Sequence, residues 1–291
     1  MVSLVAAGDN VVDCYPQTDV MFPGGNTVNV AVNAARLGAS ASYIGVVGTD
    51  PAGDLVRSAL EAEGVDLSRL RVVDGPNAAA TVLVVDGNRE FVGGDVGVSR
   101  FRLDPRDLEA VASADVVHTG ECSMLEDDLV ALKGAAQLLS FDFSERDMAY
   151  VETYAPLADV AILSRPDIGV QQAIQLAGAV AELGPRTVAV TMGPRGAVVH
   201  HDGDAVVGPA GDGPIVDTLG AGDAFIARLL VGLAAGEAVA DLVGAATAYA
   251  TATCATQGAF GYAAPLDHPA VAPSTPVTPA SQSKPQTGVH A

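Results

Sequence analysis

The 291-residue chain has no tryptophan, and its only lysines are Lys133 and Lys284. With 15 basic against 35 acidic side chains, the formal charge is −20. That balance excludes a broad basic face for nucleic acid or an anionic membrane, because such binding rests on clustered Lys and Arg. Any polyanionic small molecule must instead be held by local devices: helix N-termini, a divalent cation, or single arginines such as Arg195. Cysteine is scarce as well. Cys14, Cys122 and Cys254 lie far apart with no Cys-x-x-Cys pair, so neither a disulfide framework nor a zinc site is expected, and the three read as free thiols of a cytoplasmic protein. No uninterrupted apolar run reaches membrane-spanning length. The opening Met1-Val-Ser-Leu-Val-Ala-Ala-Gly lacks a basic leader region and reads as a first strand.

What is abundant is small and apolar. Hydrophobic residues make up 49% of the chain, with 32 glycines, which suits a mostly parallel sheet covered by small-residue helices. The most informative stretch is Asp217-Thr-Leu-Gly220-Ala221-Gly222-Asp223-Ala-Phe225, a strand end turning through glycines into a buried helix. The first N–H groups of such a helix have no internal partner and sit at the positive end of its dipole. They form a seat for a phosphoryl group, while Asp223 in the same turn is placed to take a proton from a nucleophile. A glycine-rich turn with an aspartate cap is the structural alternative.

Upstream, Ser3 to Ala7 reads as a buried strand that delivers Asp9, Asn10 and Asp13 to its carboxyl end, where acids and amides bond hydroxyls or simply build a turn. Gly24 and Gly25 then enter a helix that stops at Gly38, with Asn26, Asn29 and Asn33 on one face. A polar stripe among Val and Ala is costly to bury without partners, so the start of that helix is expected to line a polar pocket. A second helix is expected over 54–63. Short strands follow between 78 and 98, joined at Asp86-Gly87-Asn88, a hairpin signal. Further strands are expected over 111–120, ending at Glu121, and at 140–144 with Asp142 at the tip. Pro166-Asp167 opens a turn or helix. Thr191-Met-Gly193-Pro-Arg195-Gly196 is a glycine turn between strands. The helix after Gly220 runs to about Ala235, and another covers 242–256 before Gly258. From residue 264 the composition shifts to Pro, Ser, Thr and Gln, expected to be mostly disordered over 264–291.

Taken together, Asp217-Thr-x-Gly-Ala-Gly-Asp223-x-Phe resembles the C-terminal signature of the ribokinase-like (PfkB) carbohydrate kinases. Gly24-Gly25-x-x-x-Asn29-x-Ala, followed by Leu37-Gly38 and Gly45-Val-Val-Gly48-Thr-Asp50-x-x-Gly53, is similar to their N-terminal signature. The resemblance implies a doubly wound, mostly parallel α/β fold over residues 1–263, with a small β lid from about 11–23 and 78–98 and a homodimer formed through that lid. It implies ATP as co-substrate with Mg²⁺ and a monovalent cation such as K⁺. Asp223 is then the general base and Gly220, Ala221 and Gly222 the anion hole. Asp9, Asp13, Gly24, Gly25, Asn26, Asn29 and Glu121 face the sugar, and Thr191, Gly193, Arg195, Gly196 and Gly258 face the nucleotide. Asp167 is assigned to Mg²⁺ and Asp217 to the monovalent cation. One departure is plain: Ser164-Arg-Pro-Asp167 stands where relatives carry Asn-x-x-Glu. Arg228 is another, since relatives commonly have a small residue there.

Within the family, Gly8-Asp9-Asn10-x-Val-Asp13-x-Tyr15-Pro16, Phe141-Asp142-Phe-Ser144 and Gly258-Ala259-Phe260 resemble members that phosphorylate the 6-hydroxyl of a glycated amine such as fructoselysine. A free hexose, pentose or nucleoside as substrate, or sugar binding without catalysis, are the alternatives.

Overall fold

The computed structural model describes residues 1–85 and 88–267. The chain begins β1 (Ser3–Ala7), β2 (Val11–Tyr15), β3 (Val20–Gly24), α1 (Asn26–Arg36), β4 (Ser40–Val47), α2 (Pro51–Ala62), β5 (Asp66–Val72), β6 (Ala79–Val85) and β7 (Asn88–Asp95). It continues α3 (Pro105–Ser113), β8 (Val116–Gly120), α4 (Leu129–Ala135), β9 (Leu139–Asp142), α5 (Met148–Tyr154), β10 (Val160–Ser164) and α6 (Val170–Ala181). It closes β11 (Thr187–Thr191), β12 (Ala197–His201), β13 (Asp204–Gly208), α7 (Ala221–Ala234), α8 (Val239–Thr253) and β14 (Ala264–Pro265).

Nine strands form one sheet in the order β13-β12-β11-β10-β9-β8-β1-β4-β5. Neighbours from β11 through to β5 are parallel, and only β12 and β13 join antiparallel. The strands alternate between two cores, as the two-residue period of a strand requires. Leu4 and Ala6 of β1 enter a core shared with α1, α2, α7 and α8. Val5 and Ala7 enter the opposite one, with α3, α4, α5 and α6. This is the expected doubly wound α/β architecture. The chain leaves β1 towards β4 on one side and returns as β8 on the other. The gap between the carboxyl ends of β1 and β8 is therefore a topological switch point, where open α/β sheets leave a crevice.

The two segments expected as lid strands supply four strands of a second, five-stranded sheet, in the order β14-β3-β2-β6-β7. Tyr15, Phe22 and Val82 make its own small core, with the Tyr15 and Phe22 rings edge to face at 5.6 Å. Of the hairpin signal at 86–88, Asp86 and Gly87 lie outside the described residues.

Several boundaries differ from expectation. The strand placed over 111–120 is only Val116–Gly120, because Asp104 and Asp107 form a capping box with Pro105 in the first turn and α3 continues to Ser113. Asp50 caps α2, accepting from Gly53 N, so the helix starts at Pro51, three residues before Asp54. The helix placed over 242–256 runs Val239–Thr253. The segment placed in the tail from 264 starts as a strand instead, since Ala264 and Pro265 pair with Met21 and Val20 of β3. Residues 268–291 lie outside the described residues. Arg228 meets an acid, pairing with Glu237 at 2.7 Å. Among the described residues no helix is long and apolar enough to cross a membrane.

The second sheet is locked to the first partly through Gly258. This residue has φ +71, and a Cβ there would lie 2.5 Å from Cδ1 of Phe22. Gly258→Ala combines left-handed strain with overpacking and is expected to cost about 2–4 kcal/mol. The expected outcome is a melting temperature several degrees lower; an unchanged value contradicts this packing.

Candidate active site

Glycines at the N-caps of α1 and α7, Gly25 and Gly220, bring the central residues together. Gly220 takes the left-handed N-cap position of α7 with φ 73, and a Cβ there would stand 2.6 Å from Cβ of Ala259. Ala221 and Gly222 are the first helical residues, and Gly222 is exposed. A Cβ built on Gly222 meets nothing within 4 Å. The N-terminus of α7 thus opens onto free space, with Asp223 in its first turn.

Asp223 is held from across the molecule. Asn26 donates to Oδ1 at 2.8 Å and Asn29 to Oδ2 at 2.7 Å. Loss of water around the carboxylate pushes its pKa up to about 6, opposed by the two amide hydrogen bonds and reinforced by the charge of Asp9. Such a group is mostly ionised at neutral pH yet basic enough to accept a proton. The Oδ1 of Asn29 is buried with no hydrogen-bond partner, an acceptor beside the carboxylate with no donor of its own.

Asn26 does more than hold Asp223. Its Nδ2 also donates to Asp142 Oδ2 at 3.0 Å, so one amide bridges two carboxylates. Its Oδ1 lies 3.0 Å from Nε2 of His118. Because that oxygen only accepts, Nε2 carries the proton, and Nδ1 accepts from Ser140 Oγ at 3.0 Å. His118 is fully buried, and desolvation lowers its pKa to about 3, so the ring is neutral. Asp142 is pushed up to about 7, chiefly by burial, with Asp223, Glu121 and Asp9 adding like charge.

Asp9 stands at the carboxyl end of β1 and caps α1 from outside the helix. Its Oδ2 accepts from Asn26 N at 2.8 Å and its Oδ1 from Ser123 Oγ at 3.0 Å. Asp13 on β2 is buried, and Gly24 leaves it room, since a Cβ there would be 2.5 Å from Asp13 Oδ2. Gly25 lets the chain pass Asn10, whose Cα would be 2.7 Å from an added Cβ. A small open pocket lies at the switch point, between the segments that follow β1, β7 and β8. Its walls include Asp9, Asn10, Ser99, Arg100, Ser123 and Met124.

Other expected residues lie elsewhere or are already engaged. Glu121 pairs with Arg146 at 2.9 Å, so its charge is largely matched. Asn33 is not part of the site: it is fully buried and accepts from Tyr249 OH at 2.9 Å. Thr191, Gly193, Arg195 and Gly196 cluster at the carboxyl end of β11. The Arg195 guanidinium donates to the Pro166 carbonyl and so brings exposed Asp167 beside this turn. Asp217 is buried and accepts from Leu219 N at 2.7 Å and from Gly258 N at 3.0 Å. Gly258 is thereby tied to Asp217 and Phe22. Among the described residues no group of three or more His, Cys, Asp or Glu is arranged to hold a metal.

Sequence reasoning gave no role to His118, Asp142, Ser99, Arg100, Ser123 or Met124. The signal for Asp142 was present in its strand-tip position. For His118 there was none, because its partner Ser140 comes 22 residues later.

A crevice at a sheet switch point, a carboxylate in the first turn of a helix whose tip is exposed at Gly222, and small-residue turns nearby fit a phosphotransferase acting on an alcohol, although the Ala221 amide is already engaged by the Thr218 carbonyl at 3.3 Å. Comparison with known proteins agrees. The pfkB family carbohydrate kinase model matches residues 1–263, and the chain belongs to that family: it is an ATP-dependent carbohydrate kinase. It is 37% identical over 268 residues to fructosamine kinase FrlD of Bacillus subtilis, covering 90% of this chain and 94% of that one. It is 35% identical over 262 residues to fructoselysine 6-kinase of Escherichia coli, covering 89% and 100%. Its fold superposes on Arabidopsis thaliana ribokinase, a structure complexed with ribose and ATP, with TM-score 0.76 at 23% identity, covering 90% of this chain and 96% of that one.

The amide donors of Asn29 and Asn26 lower the Asp223 pKa from what burial alone would impose. Asn29→Ala is therefore expected to move the Asp223 titration, followed by carboxyl-carbon NMR, to higher pH than the parent's value near 6. A midpoint that stays put or falls contradicts the assignment of these donors.

Proposed function

We propose that this kinase phosphorylates the 6-hydroxyl of fructoselysine or a similar glycated amine. Asp223 accepts the hydroxyl proton, and the amides of Gly220, Ala221, Gly222 and Asp223 hold the charge that develops on the transferred phosphoryl group. The observation that carries this reading is the exposed α7 tip at Gly222, with Asp223 fixed beside it by Asn26 and Asn29. An orphaned Asn29 Oδ1 offers an acceptor to a sugar hydroxyl there. Asp9, Asp13, Gly24 and Gly25 shape the sugar side, whereas Glu121 acts mainly through Arg146. The glycated-amine substrate is supported by the two relatives at 37% and 35% identity, named for fructosamine and fructoselysine.

ATP as donor is supported by the ribokinase structure complexed with ATP. Its phosphates are placed by this reading between the Thr191–Gly196 turn and the α7 tip. Mg²⁺ suits the donor set in one respect: it is commonly held by one or two carboxylates together with substrate phosphates. Asp167 is an exposed carboxylate beside Arg195 and is the residue assigned to it. Mg²⁺ supplies charge neutralisation on the phosphates. A monovalent cation such as K⁺ is assigned to the Asp217 turn. The second sheet acts as a lid whose closure keeps water from competing with the sugar. Its edge strand β7, with Phe91 62% exposed, is the face assigned to a homodimer.

Asp223→Asn is expected to lower kcat by about 10²–10⁴-fold while sugar binding, measured calorimetrically, changes little. Equal turnover in variant and parent removes Asp223 from the mechanism. Because Asp223 must be ionised to accept a proton, kcat/KM is expected to rise with pH through about 6 and then level. Comparing ADP formation on fructoselysine, fructose, ribose and adenosine tests the substrate. A clear preference for an unaminated compound defeats the glycated-amine assignment.

A further inference from the structure

The switch-point pocket carries one acid and one base. Asp9 lies at its inner wall, one hydrogen bond from Asn26, which in turn holds Asp223. Arg100 lines the same pocket from the segment after β7. The two residues differ in how they are held. Asp9 is bonded to Asn26, Thr27 and Ser123. Arg100 is exposed, while its neighbour Ser99 is buried and donates to Asn10 Oδ1 at 3.5 Å, pinning this part of the backbone to the end of β1.

Acids outnumber bases by more than two to one in this chain, and most described arginines have found one. Arg69 and Arg71 share Asp104 and Asp107, Arg146 holds Glu121, and Arg228 holds Glu237. Among the described residues, no carboxylate stands within ion-pair distance of Arg100. A guanidinium left unmatched at the wall of a pocket, in a protein with a surplus of acids, is matched by an anion that arrives with the ligand. Its planar fork suits a carboxylate bidentately.

A free hexose has no charge to offer either residue. A glycated amino acid has both: a secondary ammonium where nitrogen joins the sugar, and a carboxylate beyond it. Asp9 is joined to Asp223 through Asn26 and shares the pocket wall with Arg100, so a ligand with its hydroxyl at Asp223 can turn its ammonium to Asp9 and its carboxylate to Arg100. We propose that Arg100 is a specificity-determining residue that binds the carboxylate of a glycated amino acid. This deepens, and rests on, the glycated-amine reading above.

The carboxylate is near the sugar in an α-glycated amino acid and far from it in an ε-glycated lysine, so both are tested. Initial rates of ADP formation are measured on fructosylglycine and on fructoselysine, each against the analogue in which a carboxamide replaces the carboxylate. The parent is expected to favour the carboxylate by about 10- to 100-fold in kcat/KM, the worth of a charge-assisted hydrogen bond, for at least one of the two pairs. The pair with the larger ratio identifies which geometry Arg100 reaches. In Arg100→Met the ratio is expected to fall towards one, and Arg100→Lys to retain part of it. Melting temperatures verify that both variants are folded. Equal use of carboxylate and carboxamide by the parent, or an undiminished ratio in Arg100→Met, overturns the role of Arg100 and leaves the glycated-amine reading standing. Failure of the parent to phosphorylate any of the four glycated compounds overturns both.

Discussion

Everything in the site depends on one long-range restraint: the carboxylate of Asp223 is gripped by two amides from the opposite end of the chain. Asn26 and Asn29 lie three residues apart on α1, so their side chains leave the same face and reach Oδ1 and Oδ2 separately. This fixes the plane of the carboxylate as well as its position. Isolated at the positive end of α7, Asp223 would be drawn to its own helix amides, as acids in a first turn commonly are. Held by α1 instead, its two oxygens are engaged by Asn26 and Asn29 rather than by the α7 tip, where Gly222 is exposed. Packing of α1 against α7 in a common core, through Val30, Ala34, Phe225 and Leu229 among others, keeps the two helices in this register.

A second layer supports the first. Asn26 holds two carboxylates only because its oxygen is pinned by a neutral imidazole, itself oriented by Ser140. A charged ring at that depth would be costly, and the low pKa of His118 expresses that cost. Asp142 and Asp223 both have raised pKa values for the same leading reason, removal of water. For a carboxylate raised from 3.8 to about 7, the favourable contribution to folding is complete at acid pH and is lost as pH rises through 7. The crevice thus holds two carboxylates whose burial costs stability at neutral pH, a feature common at functional sites.

Local chemistry made much of this legible from residues alone. Gly220, Gly222 and Asp223 announce a helix start with an acid in its first turn, and the resemblance to a kinase signature then orders the remaining motifs. The regular spacing of Asn26, Asn29 and Asn33 placed them on one face correctly, but could not divide them. Two face Asp223, while the third is a core residue satisfied by Tyr249, 216 positions away. Glu121 looked like a free sugar-facing acid because Arg146 is distant in sequence. The pocket itself, assembled from the ends of β1 and β8 and the segment after β7, follows from strand order. Strand order is a property of the whole sheet, not of any window of residues.

The central claim is that phosphoryl transfer takes place at the N-terminus of α7 with Asp223 alongside. It is tested most directly by a crystal structure of the enzyme with ADP, aluminium fluoride and fructoselysine, in which the fluoride complex stands in for the PO₃ group in flight. The account predicts fluorines within hydrogen-bond distance of the Gly220–Asp223 amides and the sugar 6-hydroxyl against an Asp223 oxygen. A fluoride complex seated elsewhere, or a 6-hydroxyl out of reach of Asp223, contradicts it.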